Sequence, residues 1–281
     1  MELWPFYWLA GLLEGEGTFM SGPPSCPNSP VARICMTDRD IVARAGLLLD
    51  RAVTPVRARK PHYKPPFVTQ IKGVEAVALM RAMRPVLGPD RQKQIDQALE
   101  GWVPRRIRSQ ARPDRFASLD GLVDVVADDD RALSWLAGLL EGEGTFSLTC
   151  DAKLRCYPVV SITMCDAAVV FRAAHVLGAA SVSMREPERS AWRPTYVAKV
   201  GGAHAAKWMR TLRAVMGERR RAALDLALDS YRPIFLVDPP SSCVVPDCDQ
   251  PHRGRGLCHK HYMMWSRDRA KGREERIAPL R

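Results

Sequence analysis

The 281-residue chain carries 42 Lys and Arg against 31 Asp and Glu, a formal charge of +11, and 46% of its residues are apolar. That composition is globular and gives enough chain for one large domain or two of ordinary size, which excludes a disordered, collagen-like or disulfide-stapled miniprotein. No apolar run approaches the roughly 18 residues of a membrane helix, and Met1-Glu2-Leu3-Trp4-Pro5 lacks the basic start of a signal peptide. A cytosolic, reducing compartment is the expectation, nucleoid-associated if the source is prokaryotic or phage. The basic excess is spread evenly over segments 1–103, 104–127, 128–232 and 233–281, as suits a polyanion touching the whole length.

In chain order, residues 6–16 have helical apolar spacing and stop at Gly17. Phe19 to Met36 alternates as a hairpin with a Gly22-Pro23-Pro24 turn, and Asp38 is placed to N-cap a helix through Leu49. Val53–Arg59 and Phe67–Lys72 follow as strands and Val74–Leu87 as a helix. Residues 104–127 read as a basic linker.

The whole pattern then returns. Trp8 through Phe19 recurs letter for letter as Trp135 through Phe146. Further on, Ile34-Cys35-Met36-Thr37-Asp38 resembles Ile162-Thr163-Met164-Cys165-Asp166, and Arg44, Gly88 and Arg91 fall opposite Arg172, Gly217 and Arg220. Two copies at so long a period are a duplicated domain and not a solenoid.

Within the duplicated segment, Gly11 and Gly15, like Gly138 and Gly142, leave a bare patch on one helix face, so the two helices can pack backbone to backbone. Glu14 and Glu16 occupy a last turn where the helix dipole disfavours carboxylates. Side-by-side copies bring Glu16 and Glu143 together, which is costly unless cations bridge them. Hard oxygen ligands suit Mg²⁺, and paired metal sites of this kind serve phosphodiester hydrolysis.

Leu9–Gly17 and Leu136–Gly144 resemble the two motifs of LAGLIDADG homing endonucleases in their single-chain, two-repeat form, with the resemblance covering residues 4–232. It implies an α+β fold of two pseudo-symmetric αββαββα repeats, paired through the motif helices, with two saddle-shaped sheets in the DNA major groove. It also implies two or more Mg²⁺ ions at Glu16 and Glu143, with Gly15 and Gly142 in the same metal site. Glutamate stands here where the family more often has aspartate. Asp38 and Asp166 fall where the family holds a polar residue that orders active-site water, and serve equally as helix N-caps. Lys72 resembles the basic residue that borders the metal pocket; its counterpart is Gly201, with Lys199 nearby, so the two half-sites need not be equivalent.

DNA contacts are expected from the strands: Arg33, Arg57, Arg59, Lys60, Lys64 and Gln70 in the first copy, and Lys153, Arg155, Arg185, Arg189, Arg193 and Lys199 in the second. No acid lies between Arg51 and Lys72, whereas Glu186 and Glu188 dilute the second group.

After a Pro-rich tether at 233–242, Cys243-x4-Cys248-x9-Cys258-x2-His261 has the paired spacing of a tetrahedral zinc site, with His252 and His259 as competing ligands. The module at 243–281, basic around its ligands through residues that include Arg253 and Arg255, reads as an accessory DNA-binding element or as a structural clasp. Cys26, Cys35, Cys150, Cys156 and Cys165 are expected to pack as small hydrophobes. The functional expectation is a monomeric, site-specific double-strand DNA endonuclease of a mobile element. The alternative is a binding protein on the same scaffold, an intron RNA maturase or a transcription regulator.

Overall fold

The computed structural model describes residues 4–58, 60–103, 130–150, 156–189, 191–231, 240–273 and 276–280. In the first repeat, helix α1 (Pro5–Glu16) runs into strand β1 (Gly17–Met20), followed by β2 (Val31–Met36), α2 (Arg39–Leu49), β3 (Thr54–Pro55), β4 (Phe67–Lys72), α3 (Val74–Met83) and α4 (Pro89–Leu99). The second repeats the order with α5 (Asp130–Glu143), β5 (Gly144–Cys150), β6 (Cys156–Met164), α6 (Ala167–Leu177), β7 (Val182–Arg185), β8 (Thr195–Gly201), α7 (Gly202–Leu212) and α8 (Glu218–Ser230). Each repeat makes one antiparallel four-stranded sheet, ordered β1-β2-β4-β3 and β5-β6-β8-β7.

Helix α1 is buried continuously from Tyr7 to Glu14, because α5 covers one side and its own repeat covers the rest. The contact is backbone to backbone: a Cβ on Gly11 would overlap the Trp135 carbonyl oxygen, and one on Gly138 the Trp8 carbonyl oxygen. Outside this seam Arg44 lies 4.0 Å from the Trp8 ring centroid and donates to Val215 O, while Arg172 lies 5.2 Å from the Trp135 ring and donates to Val86 O. Each arginine therefore crosses to the other repeat, tying the halves with the same bond twice.

Three expectations are corrected. The strand read over Val53–Arg59 shortens to Thr54–Pro55, with one further bond from Val56 N–H to Pro66 O. Pro65 and Pro66 have no N–H to extend the ladder. The helix read over Val74–Leu87 ends at Met83 and tightens into a 3-10 turn over Arg84–Val86, where Pro85 cannot continue it. Cys150 and Cys156, rather than packing as hydrophobes, form a disulfide, because the β5–β6 register sets them directly opposite; Cys26 is exposed.

Helices α4 and α8 are additions to the expected seven-element repeat. They are polar helices that bury only Ile95 and Ala98, or Leu224 and Ala227, so they carry almost no apolar periodicity. Helix α9 (His259–Ala270) belongs to a separate small module whose core of Cys243, Leu257, Cys258 and Trp265 is distinct from the main core.

Candidate functional site

The ends of α1 and α5 meet at two glycines. A Cβ on Gly15 would lie 2.9 Å from Glu143 Cγ and one on Gly142 3.1 Å from Glu16 Cγ, so each half-buried glutamate rests against the bare backbone of the opposite helix. Burial, and then the Glu143 carboxylate, raise the pKa of Glu16; burial raises that of Glu143. Arg91 and Arg220 pull both back down. Two half-buried carboxylates on facing helix ends, each made costlier to ionise by burial, are hard oxygen donors, and a dication there would relieve both burial and repulsion.

Arg91 donates to the carbonyl oxygens of Glu14 and Gly15 at 2.9 and 2.7 Å, and Arg220 to those of Glu141 and Gly142 at 2.9 and 2.8 Å. Both sit in the first turns of α4 and α8. They supply from a neighbouring helix the C-terminal cation that the acidic last turns of α1 and α5 lack. The carbonyls of Gly15 and Gly142, the residues expected in the metal site, thus each already accept one bond.

Glu14 and Glu141 turn the other way and are buried. Gly88 N–H donates to Glu14 Oε1, and Gly217 N–H to Glu141 Oε1 at 2.6 Å. Gly88 and Gly217 are the N-caps of α4 and α8, so these carboxylates meet the positive end of a second helix dipole. The inner glutamates fix the helices whose arginines then hold the outer glutamates in place.

The remaining expected residues are distributed unevenly. Asp166 caps α6, accepting from Ala168 N and Val169 N at 3.0 and 3.3 Å, and also accepts from Asp90 N at 3.0 Å. Asp38 occupies the equivalent position without a capping bond and pairs instead with Arg219, whose Nε lies 2.9 and 2.7 Å from its two oxygens. Asp38 stays close enough to raise Glu16. Lys72 is exposed on the open face of its sheet, three residue pairs beyond the row Gly17–Ile34–Thr69, roughly 10 Å along the strand from the helix end. The cations at the carboxylates are Arg91 and Arg220, which the sequence marks only as matching positions in the two copies.

Of the strand residues expected to face DNA, Arg33 and Gln70 lie in one open-face row with Thr18, and Lys199 lies in the counterpart row with Thr145 and Ser161. Arg57, Lys60, Lys64, Arg185 and Arg189 are exposed at the outer ends of the sheets. Arg193 is exposed too but donates to Asp90 at 2.6 Å. Arg59, Lys153 and Arg155 lie outside the described residues.

In the small module the ligand atoms of Cys243, Cys248, Cys258 and His261 all lie within 4.8 Å of one another. Cys248 and Cys258 sulfurs are 3.9 Å apart, and His261 Nδ1 is 3.2 and 3.5 Å from those of Cys243 and Cys258. A tetrahedral zinc with bonds near 2.3 Å to sulfur sets its sulfurs about 3.8 Å apart, so the four fit that ion. His252 and His259 stand outside the cluster. Burial raises the Cys243 thiol, but hydrogen bonds at the Cys258 and Val245 backbone and to His261 bring it down to about 6, favouring the thiolate a metal needs. Arg253 is exposed, while Arg255 stacks 5.2 Å from the Trp265 centroid inside the module.

Two repeats, each with a sheet and a glycine-seamed helix ending in a glutamate, define the two-repeat LAGLIDADG fold, and this chain has it. The crystal structure of the LAGLIDADG meganuclease I-AabMI bound to uncleaved DNA superposes with a TM-score of 0.52 at 12% identity, over 80% of this chain and 90% of that one. The homing endonuclease I-GzeII in complex with its DNA target gives 0.47 at 8% identity, over 80% and 88% of the two chains. No family model and no curated protein matches the sequence.

Proposed function

We propose that this chain is a monomeric, site-specific double-strand DNA endonuclease of a mobile element, dependent on Mg²⁺. The observation that carries the reading is the meeting of Glu16 and Glu143, each against the glycine of the opposite helix and both flanked by Arg91 and Arg220. A regulator has no need of facing carboxylates whose assembly costs burial and repulsion. Bound to Glu16 and Glu143, with the Gly15 and Gly142 carbonyls adjacent, Mg²⁺ would act as a Lewis acid toward a phosphodiester. The arginines orient the helix ends and balance the carboxylate charge, and Asp38 lies close enough to Glu16 to act on its charge. The open sheet faces with Arg33, Gln70 and Lys199 offer donors to base edges and phosphates, and two non-identical halves suit a non-palindromic duplex. The likeness of fold to I-AabMI, a meganuclease bound to DNA, supports the same class. The Cys243, Cys248, Cys258 and His261 module, holding one structural Zn²⁺, adds a tethered basic contact.

The test is cleavage of a randomised duplex library with Mg²⁺, sequencing the cut ends. The parent is expected to yield one long motif cut on both strands, and Glu16→Ala and Glu143→Ala each to lose at least about a hundredfold in double-strand cleavage. Enrichment of a motif by binding without any cutting would overturn the nuclease reading in favour of a regulator, and cleavage or splicing effects confined to RNA would favour a maturase.

A further inference from the structure

Between β3 and β4 the chain reads Lys60-Pro61-His62-Tyr63-Lys64-Pro65-Pro66-Phe67, and between β7 and β8, 129 residues later, Arg189-Ser190-Ala191-Trp192-Arg193-Pro194-Thr195-Tyr196. Cation, aromatic, cation, proline and aromatic are kept at five positions while the three others differ in kind. The local structure repeats as well. Tyr63 N–H donates to Lys60 O at 3.0 Å, and Trp192 N–H to Arg189 O at 2.9 Å, closing the same tight turn. In each turn the cation lies on the ring, Lys60 Nζ 5.5 Å from the Tyr63 centroid and Arg189 Cζ 5.1 Å from that of Trp192.

Among the described residues neither ring is part of a core, although His62 meets Tyr63 edge-on at 4.7 Å within the same turn. Tyr63 is 50% and Trp192 56% exposed. One exposed aromatic is ordinary; the same exposed aromatic, turn and stacked cation in both copies of a duplicated domain calls for a shared task. Position narrows that task. Strands β1 and β5 continue directly from the paired helices, whereas β3 and β7 are the opposite edges of their sheets, so the turns beyond them lie at the two outer extremes of the open faces.

Charge narrows it further. Arg57, Lys60 and Lys64 surround the first turn with no acid from 51 to 72, a surface complementary to a polyanion. A cation held on a ring face is pre-oriented and partly stripped of water, and the ring itself is flat enough to lie along a deoxyribose. We propose that the two turns are a matched pair of clamps that grip the sugar–phosphate backbone at the two ends of the bound duplex, cation to phosphate and ring to sugar. The inference rests on the DNA reading above and adds to it two contacts outside the bases that the sheets cover. The clamps are unequal. Glu186 and Glu188 flank the second, and Arg193 there is engaged with Asp90, so the Trp192 end grips more weakly.

The experiment is hydroxyl-radical footprinting on a duplex selected from a random library for binding, with Ca²⁺ in place of Mg²⁺, using the parent, Tyr63→Ala, Trp192→Ala and the conservative exchanges Tyr63→Trp and Trp192→Tyr. Each alanine variant is expected to lose protection of the outermost backbone positions at one end only, the two at opposite ends, with the centre still protected. Affinity should fall about threefold to tenfold, and the conservative exchanges should restore the footprint. Parent-like flanks in both alanine variants would overturn the clamps while leaving the DNA reading intact. If the parent protects no duplex at all, both fall.

Discussion

Glu14 directs its carboxylate inward to the N-cap of α4, and Glu16, two residues on, leaves its own half-buried beside Glu143. The inner pair has a measurable signature. Burial raises Glu14 and Glu141 to about 7, against hydrogen bonds from Gly88 and Gly217 that act in the opposite sense. A carboxyl whose folded pKa exceeds its unfolded value of 4.5 binds more protons in the folded state between those limits. Its contribution is therefore fully present below about pH 4.5 and is lost as pH rises through 7. Stability of the metal-free protein should fall over that window by on the order of a few kcal/mol in all. Glu14→Gln with Glu141→Gln keeps an oxygen to accept from the two glycines and removes the titration. Melting temperatures of the double variant should decline less steeply from pH 5 to 8 than those of the parent, the slope that is left belonging to Glu16 and Glu143; equal slopes would refute the assignment.

At the scale of elements, the glycines of α1 separate stability from function. A methyl on Gly11 meets the rigid Trp135 backbone, so Gly11→Ala must push the helices apart and should cost about 3 kcal/mol, the upper part of the overpacking range. A methyl on Gly15 meets chiefly the Glu143 side chain, which can swing away. Gly15→Ala should therefore cost about 1 kcal/mol or less in denaturant unfolding yet reduce cleavage at least tenfold by displacing Glu143, a proposed metal ligand; a variant as active as the parent would show that Glu143 does not need its seat. This seam was legible in the sequence, because identical twelve-residue segments with glycines four apart leave few other packings. The helices that hold the glutamates were not. Helices α4 and α8 show almost no apolar stripe, and their arginines stand out only as a matched pair whose partners, main-chain carbonyls, have no sequence signature. Asp38 and Asp166 look alike in sequence and diverge in structure because position 219 is arginine where its counterpart 90 is aspartate.

Across the whole molecule, the two cores predict two folding units. The repeats share one continuous core through α1 and α5, whereas the module around Trp265 has a core of only four buried apolar residues, Cys243, Leu257, Cys258 and Trp265. A core that small does not offset the entropy of ordering some forty residues, so the module should draw its stability from a metal at the Cys243, Cys248, Cys258 and His261 cluster. Its remaining supports are modest: Arg276 pairs with buried Asp268 at 3.1 Å, and Arg255 and Arg269 stack on Trp265. The chain should bind about one zinc, and Cys248→Ser or His261→Ala should abolish it, whereas His252→Ala and His259→Ala should not. Chelation should then release the amides of 243–270 to rapid hydrogen exchange while α1, α5 and both sheets keep their protection and the main thermal transition stays where it was. A single transition that shifts with zinc would mean instead that the module clasps the second repeat, and its basic face would be bound into the fold and not free to follow the DNA.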